Sequence, residues 1–140
     1  MLVRIRGTTE KIDGWNYRLN LDMPTVYFDN INYNISLRTI FVSLVFTDGV
    51  PTEQYWSLNT TMVDRCEINP RQEIASFVSN YSSGSNYHFV CYEPQIKQEY
   101  KIQLTSLQSS EFTLTTLKKD LDLEIEFVEI LLEFSKYARI

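Results

Sequence analysis

The sequence predicts an all-β protein, an antiparallel β-sandwich with about eight strands in a single domain over residues 1–140. Apolar and polar residues alternate in Tyr100–Leu104 and Glu111–Leu117, and this period of two is typical of strands with one face in a core. Turn-forming residues such as Thr47–Pro51 separate the apolar segments. The 140 residues are 44% hydrophobic, which suffices for one core, and no long helical crossover interrupts the strands.

The N-terminal half begins with an expected strand at Met1–Arg6, where apolar and basic residues alternate. The segment Ile31–Phe46 changes its apolar phase near Arg38-Thr39. Such a change indicates either a β-bulge or two strands joined at that point. The run Thr39–Phe46 consists almost entirely of residues that favour strands, and we expect it to be central in the sheet.

Three further strands are predicted in the middle of the chain, at Tyr55–Val63, Glu73–Val78 and Tyr87–Tyr92. The Ser/Asn/Gly-rich segment Ser79–Asn86 is typical of a surface loop. Pro94 lacks a backbone donor, so the Tyr87–Tyr92 strand is expected to end before it.

The segment 121–134 is open to two interpretations. Its apolar residues alternate with acidic ones up to Phe127 and then shift phase, which favours a strand that follows a turn at Lys118–Asp120. A helix can also be drawn, since Leu and Glu are good helix formers. We favour the strand.

The number of strands and the chain length fit a single jelly roll better than an immunoglobulin fold. The immunoglobulin pattern places a tryptophan between two cysteines, whereas Trp15 and Trp56 both precede Cys66.

Composition and charge argue against several functional classes. The chain has 13 Lys and Arg against 18 Asp and Glu, a net charge of −5, whereas nucleic-acid-binding domains are usually basic. The single histidine, His88, shares a strand with Cys91 but lies in the opposite phase, so the strand does not bring them together. We therefore expect no enzyme activity, no metal and no cofactor. Cys66 and Cys91 are expected to be free thiols, with Cys91 half-buried.

Charges are unevenly distributed along the chain. Asp122, Glu124 and Glu126 form an acidic row with neighbours about 6.5–7 Å apart on one strand face. That spacing is compatible with a glycosidase pair, but a solvated face is the simpler interpretation. The N-terminus is basic and residues 120–133 are acidic, a polarity that could be used between subunits.

Aromatic residues are the remaining candidates for function, at 14% of the chain. They could fill the core, form a protein interface or stack on a sugar. The candidate interface or ligand aromatics are Trp15, Tyr17, Tyr55, Trp56 and Tyr81.

Several segments together resemble one protein family. The relevant stretches are Tyr33–Phe46, Ser57–Asp64, Glu73–Val78, His88–Gln95, Tyr100–Ile102, Ser109–Leu117 and Leu131–Phe134. Their order resembles the penton-like, single jelly-roll minor capsid proteins of Polinton/Maverick elements, adintoviruses and virophages, over roughly residues 25–135. Two positions depart from the family pattern. Lys118–Leu121 replaces its Gly-rich turn, and Ser135 follows the last Phe where a basic residue is expected.

The resemblance implies a structural protein that self-associates as a trimer or pentamer, with other capsid-type proteins as partners. It implies a location in a virion or the host-cell interior. Nucleic acid is not expected as a partner because of the charge balance, and a membrane is not expected because of the following features. The chain has no apolar stretch of the ~18 residues that a membrane span needs, and its N-terminus does not resemble a signal peptide. The alternative is a β-sandwich module that binds carbohydrate or protein.

Overall fold

The computed structural model describes residues 1–47, 53–79, 86–119 and 122–137, and it is nearly all β. The strands are β1 (Leu2–Lys11), β2 (Asn16–Leu21), β3 (Tyr33–Phe46), β4 (Gln54–Thr60), β5 (Glu73–Ser79), β6 (Tyr87–Tyr92), β7 (Tyr100–Lys101), β8 (Phe112–Thr116) and β9 (Leu123–Lys136). In the described ranges the helical content is one 3₁₀ turn, Leu107–Ser109.

The strands form one antiparallel sheet in the order β5-β4-β8-β2-β1-β9-β3-β6, and the short β7 also pairs with β3. The sheet curls into a nearly closed, barrel-like shape. Its two end strands, β5 and β6, approach each other through Phe77 and Tyr92, whose rings stack with centroids 5.5 Å apart. The expected all-β, antiparallel class is confirmed.

Strand β1 joins the two halves of the sheet. Its first part, Leu2–Gly7, pairs with β9, and its second part, Gly7–Lys11, pairs with β2. Gly7 belongs to both ladders, and a Cβ added there would lie 2.0 Å from the carbonyl oxygen of Asn20. The strand can therefore pass from one partner to the other only because residue 7 has no side chain.

The phase change in the long third segment is a bulge within one strand. β3 runs unbroken through Tyr33–Phe46, and its register with β9 shifts between Leu37 and Thr39. Arg38 is the extra residue and lies exposed. Of the two interpretations of the phase change, the bulge is correct.

The C-terminal segment is a strand, and the helical alternative is wrong. β9 is a long strand between β1 and β3, paired along most of its length. Its inward residues include Leu123, Ile125 and Val128, all buried. The step of three from Ile125 to Val128 marks a second irregularity, opposite the register shift between Ser43 and Leu44.

Two parts of the fold differ from expectation. β2 was not predicted, although Tyr17, Leu19 and Leu21 alternate with polar residues there. The expected strand Tyr100–Leu104 shortens to two residues, after which Ile102 forms only an isolated bridge to Val63. Most of the Ser79–Asn86 loop, the end of the Thr47–Pro51 turn and Asp120 lie outside the described residues.

The opposite charges of the two chain ends meet within the molecule. Because β1 lies beside β9, Arg4 and Arg6 both reach Glu129, at 3.7 and 3.6 Å. Lys11 reaches Glu124 at 3.3 Å. Part of the charge of each end is therefore used in ion pairs within the subunit.

Candidate functional site

The barrel interior accounts for two of the candidate aromatics. Tyr17 and Trp56 are 0% and 2% exposed, and their rings meet edge-on at 5.6 Å. The Trp56 indole nitrogen donates to the Ser79 hydroxyl at 3.0 Å. Both residues point inward in their strands, so they belong to the core and are not available to a surface ligand or partner. The candidate role assigned to them is thereby corrected.

The outer face of β6, β3 and β9 carries an aromatic patch, which we define as Phe41, Tyr87, Phe89 and Phe127. Phe41 stacks on Phe89 with centroids 5.7 Å apart and contacts Phe127 at 6.4 Å. Phe89 and Tyr87, on the end strand β6, are 70% and 63% exposed. Three strands thus contribute to one apolar surface, which is exposed at Tyr87 and Phe89 and half-buried at Phe41 and Phe127.

Two local features of the chain create this patch. Ser43 pairs with Phe89 on one side and with Phe127 on the other, so a small side chain lies between two large rings. The irregularity in β9 turns Phe127 outward, out of phase with the buried Ile125. Alternation in Tyr87–Tyr92 already placed Tyr87 and Phe89 on one face, but the outward turn of Phe127 has no signal in a period-two pattern.

The acidic row lies on solvent-exposed positions of β9 and just before it. Asp122, Glu124 and Glu126 are all exposed. Glu124 pairs with Lys11 from β1, and the main-chain oxygen of Asp122 accepts hydrogen bonds from Thr47. The row therefore has the properties of a solvated face next to the aromatic patch.

The opposite outer face, formed by β4, β8 and β2, carries a polar groove of about 740 Å³. A chain of side-chain hydrogen bonds crosses its floor from strand to strand. The Asn59 amide donates to the Thr115 hydroxyl at 3.1 Å, and that hydroxyl donates to the Asn16 amide oxygen at 3.1 Å. Thr113 adds a second outward hydroxyl on β8. The floor thus displays amides and hydroxyls held in fixed positions.

Trp15 lines one end of the polar groove and is 41% exposed. The turn between β1 and β2 holds it in place, because the Asp13 carboxylate accepts the backbone N–H groups of Trp15 and Asn16 at 2.9 and 2.8 Å. These two hydrogen bonds lower the pKa of Asp13. Gly14 supplies the left-handed backbone of the turn, with φ of 80°.

Two arginines, Arg65 and Arg71, line the groove together with Glu111. In the part of the chain that the structure describes, neither guanidinium has a carboxylate within 4.0 Å. The groove therefore offers more positive than negative charge, in a protein whose net charge is negative.

Two candidate aromatics remain, Tyr55 and Tyr81. Tyr55 is 50% exposed on β4, where it pairs with Val78 of β5 and its carbonyl accepts the N–H of Leu117. Tyr55, Val78 and Leu117 form an exposed apolar strip beside the groove. Tyr81 lies outside the described residues.

The other chemically interesting residues are dispersed. His88 points inward, edge-on to Phe46 at 5.8 Å. Cys66 and Cys91 are free and exposed, and Cys91 is more exposed than expected because it shares the outer face of β6 with Phe89. Among the described residues, no group of three or more His, Cys, Asp or Glu could hold a metal ion. Nor do the described ranges contain a helix long and apolar enough to cross a membrane.

The fold and its two outer faces define a class, an all-β antiparallel protein with an exposed aromatic patch and a polar groove on opposite sides. Comparison with known proteins adds no narrower assignment, since no family model and no curated protein matches the chain.

Proposed function

We propose that the chain is a single jelly roll that self-associates as a structural, capsid-type subunit. The strand pairing supports the jelly-roll topology because it is nested from the chain ends inward: β1 with β9, β2 with β8, β3 with β6, and β4 with β5. A jelly roll is a hairpin-like ribbon wrapped in this way into two facing sheets, and capsid proteins are among the proteins built on it.

The aromatic patch carries the proposal of self-association. Given the 150–250 Å² of a whole aromatic side chain, Phe89 and Tyr87 together leave roughly 250 Å² exposed. The largest apolar patch on a protein surface is often a functional one, and here the rings of Phe41 and Phe89 are stacked across two neighbouring strands. Buried aromatic clusters are typical of the centres of protein interfaces.

A second copy of this chain is the occupant we assign to the patch. The apolar strip of Tyr55, Val78 and Leu117 lies on β4, on β5 and directly after β8, away from the patch strands β6, β3 and β9. Each subunit can therefore use the patch toward one neighbour and the strip toward the next. Contact between two different surfaces generates a closed ring when the rotation closes. This arrangement accords with the trimer or pentamer that the family resemblance implies.

Analytical ultracentrifugation at concentrations up to several hundred micromolar tests the proposal. The natural protein is expected to form a species several times larger than the 16.5 kDa chain, and Phe89→Ser is expected to remain monomeric. Tyr27→Ser is the matched control, because Tyr27 is also 70% exposed but lies outside the patch. A strictly monomeric natural protein at every salt concentration would contradict the proposal.

A mixing experiment tests the ring geometry. Phe89→Ser retains the strip and Tyr55→Ser retains the patch, so an equimolar mixture is expected to give a dimer and nothing larger. If the patch instead contacts itself, Tyr55→Ser alone will assemble like the natural protein.

A further inference from the structure

We propose that the polar groove on β4, β8 and β2 binds an acidic carbohydrate. This site lies on the face opposite the aromatic patch and borders the apolar strip at Leu117. It goes beyond the proposed structural function because assembly does not require its polar residues. Three properties of the groove lead to this ligand class: its floor, its aromatic end and its charge.

The floor of the groove suits a ligand rich in hydroxyl groups. Asn59, Thr115 and Asn16 are linked by hydrogen bonds across three neighbouring strands, and this fixes the orientation of both amides. The Ser57 hydroxyl also donates to the Asn59 amide oxygen at 2.9 Å. Groups held in this way recognise sugar hydroxyls with little loss of side-chain entropy.

The aromatic end of the groove supplies an apolar contact. Trp15 is large, partly exposed and held by a turn in which the Asp13 carboxylate accepts the backbone N–H groups of Trp15 and Asn16. Sugar rings present a C–H face that packs on an aromatic ring while their hydroxyls bind polar neighbours. A fixed indole next to a floor of amides and hydroxyls provides both kinds of contact.

The charge of the groove selects an acidic sugar. Arg65 and Arg71 are two of its lining residues and Glu111 is the acidic one, and in the described residues neither arginine is engaged in an ion pair. Guanidinium groups bind carboxylates and sulfates through paired, charge-assisted hydrogen bonds.

A glycan array with sialylated, uronic-acid-containing and sulfated oligosaccharides, each with its neutral counterpart, tests the inference. At least one acidic class is expected to bind, at least about tenfold more tightly than its neutral counterpart. Titration of the best oligosaccharide by NMR then gives the affinities of variants. Trp15→Ala and Arg65→Gln are each expected to weaken binding about tenfold or more.

Two controls separate this inference from its alternatives. Phe89→Ser, on the opposite face, is expected to bind the glycan as the natural protein does even if it no longer assembles, so the two proposals can fail independently. Inorganic sulfate, added at the same concentration of negative charge as the glycan, is expected to compete only weakly with it for the groove. The inference is overturned if no acidic glycan binds, if both groove variants bind normally, or if sulfate alone reproduces the binding.

Discussion

The two outer faces of the barrel differ sharply, although the same core supports both. On β6, β3 and β9 the outward positions carry stacked phenylalanines, whereas on β4, β8 and β2 they carry asparagines and threonines joined by hydrogen bonds. The inward positions of both halves are mostly apolar, with buried polar exceptions such as Gln54, Thr60 and Thr116. The two faces therefore differ in their outward residues far more than in the core that supports them.

The largest expected effect is on stability, and it distinguishes a core residue beneath the polar groove from a residue on the groove surface. Trp56→Ala removes a fully buried indole and is expected to lower the free energy of unfolding by about 3–5 kcal/mol. Trp15→Ala, which removes an exposed indole from the same half of the barrel, is expected to cost less than about 1 kcal/mol. Urea unfolding followed by circular dichroism measures both, and similar losses for the two variants would contradict the assignment.

A second substitution tests whether the two faces belong to one cooperative unit. Gly7→Ala places a methyl group against the Asn20 carbonyl, where β1 passes from β9 to β2, and is expected to cost about 2–3 kcal/mol. Thr8→Ala, at the exposed neighbouring position, is the control and is expected to stay within about 0.5 kcal/mol. A normal stability for Gly7→Ala would show that β1 can separate from one of its partners without loss.

A double variant sharpens the contrast between the faces. Phe89→Ser and Arg65→Gln alter opposite sides of the barrel and share no contact partner in the described residues. Their effects on stability are expected to add within about 0.5 kcal/mol. The association constant of Arg65→Gln is expected to match that of the natural protein. A deviation from additivity of the two stability changes well above about 0.5 kcal/mol would indicate that the two faces are coupled through the core.

The smallest expected effect concerns pH and the Asp13 turn. The folded-state pKa of Asp13 lies below its usual value of 3.8, so the ionised carboxylate stabilises the folded state. This contribution is complete above the unfolded pKa and is lost as the pH falls through the folded one. The stability difference between the natural protein and Asp13→Ala is therefore expected to shrink below about pH 4. A stability difference between the two proteins that stays constant down to pH 2 would contradict this role of the Asp13 carboxylate.

Sequence patterns predicted the all-β class, most strands and a phase change near Arg38, because alternation reports directly on which residues face the core. They left open whether that change is a bulge or a junction of two strands. They missed β2, because this strand between two turns is six residues long and has only three apolar residues. They did not separate buried Trp56 from exposed Trp15, since burial depends on the phase of each strand within the sheet. The groove was out of reach because Asn16, Asn59 and Thr115 come from three distant segments.

The pairing of β1 with β9 has a consequence for how the chain folds. The first strand finds its partner among residues 123–136, so during synthesis it must wait until nearly the whole described chain has been made. Nested long-range pairing of this kind gives a high contact order, for which folding times of milliseconds to seconds are typical. The newly made chain thus exposes its apolar strands until the last one arrives, and the closing of β9 between β1 and β3 is the step that commits it to the barrel.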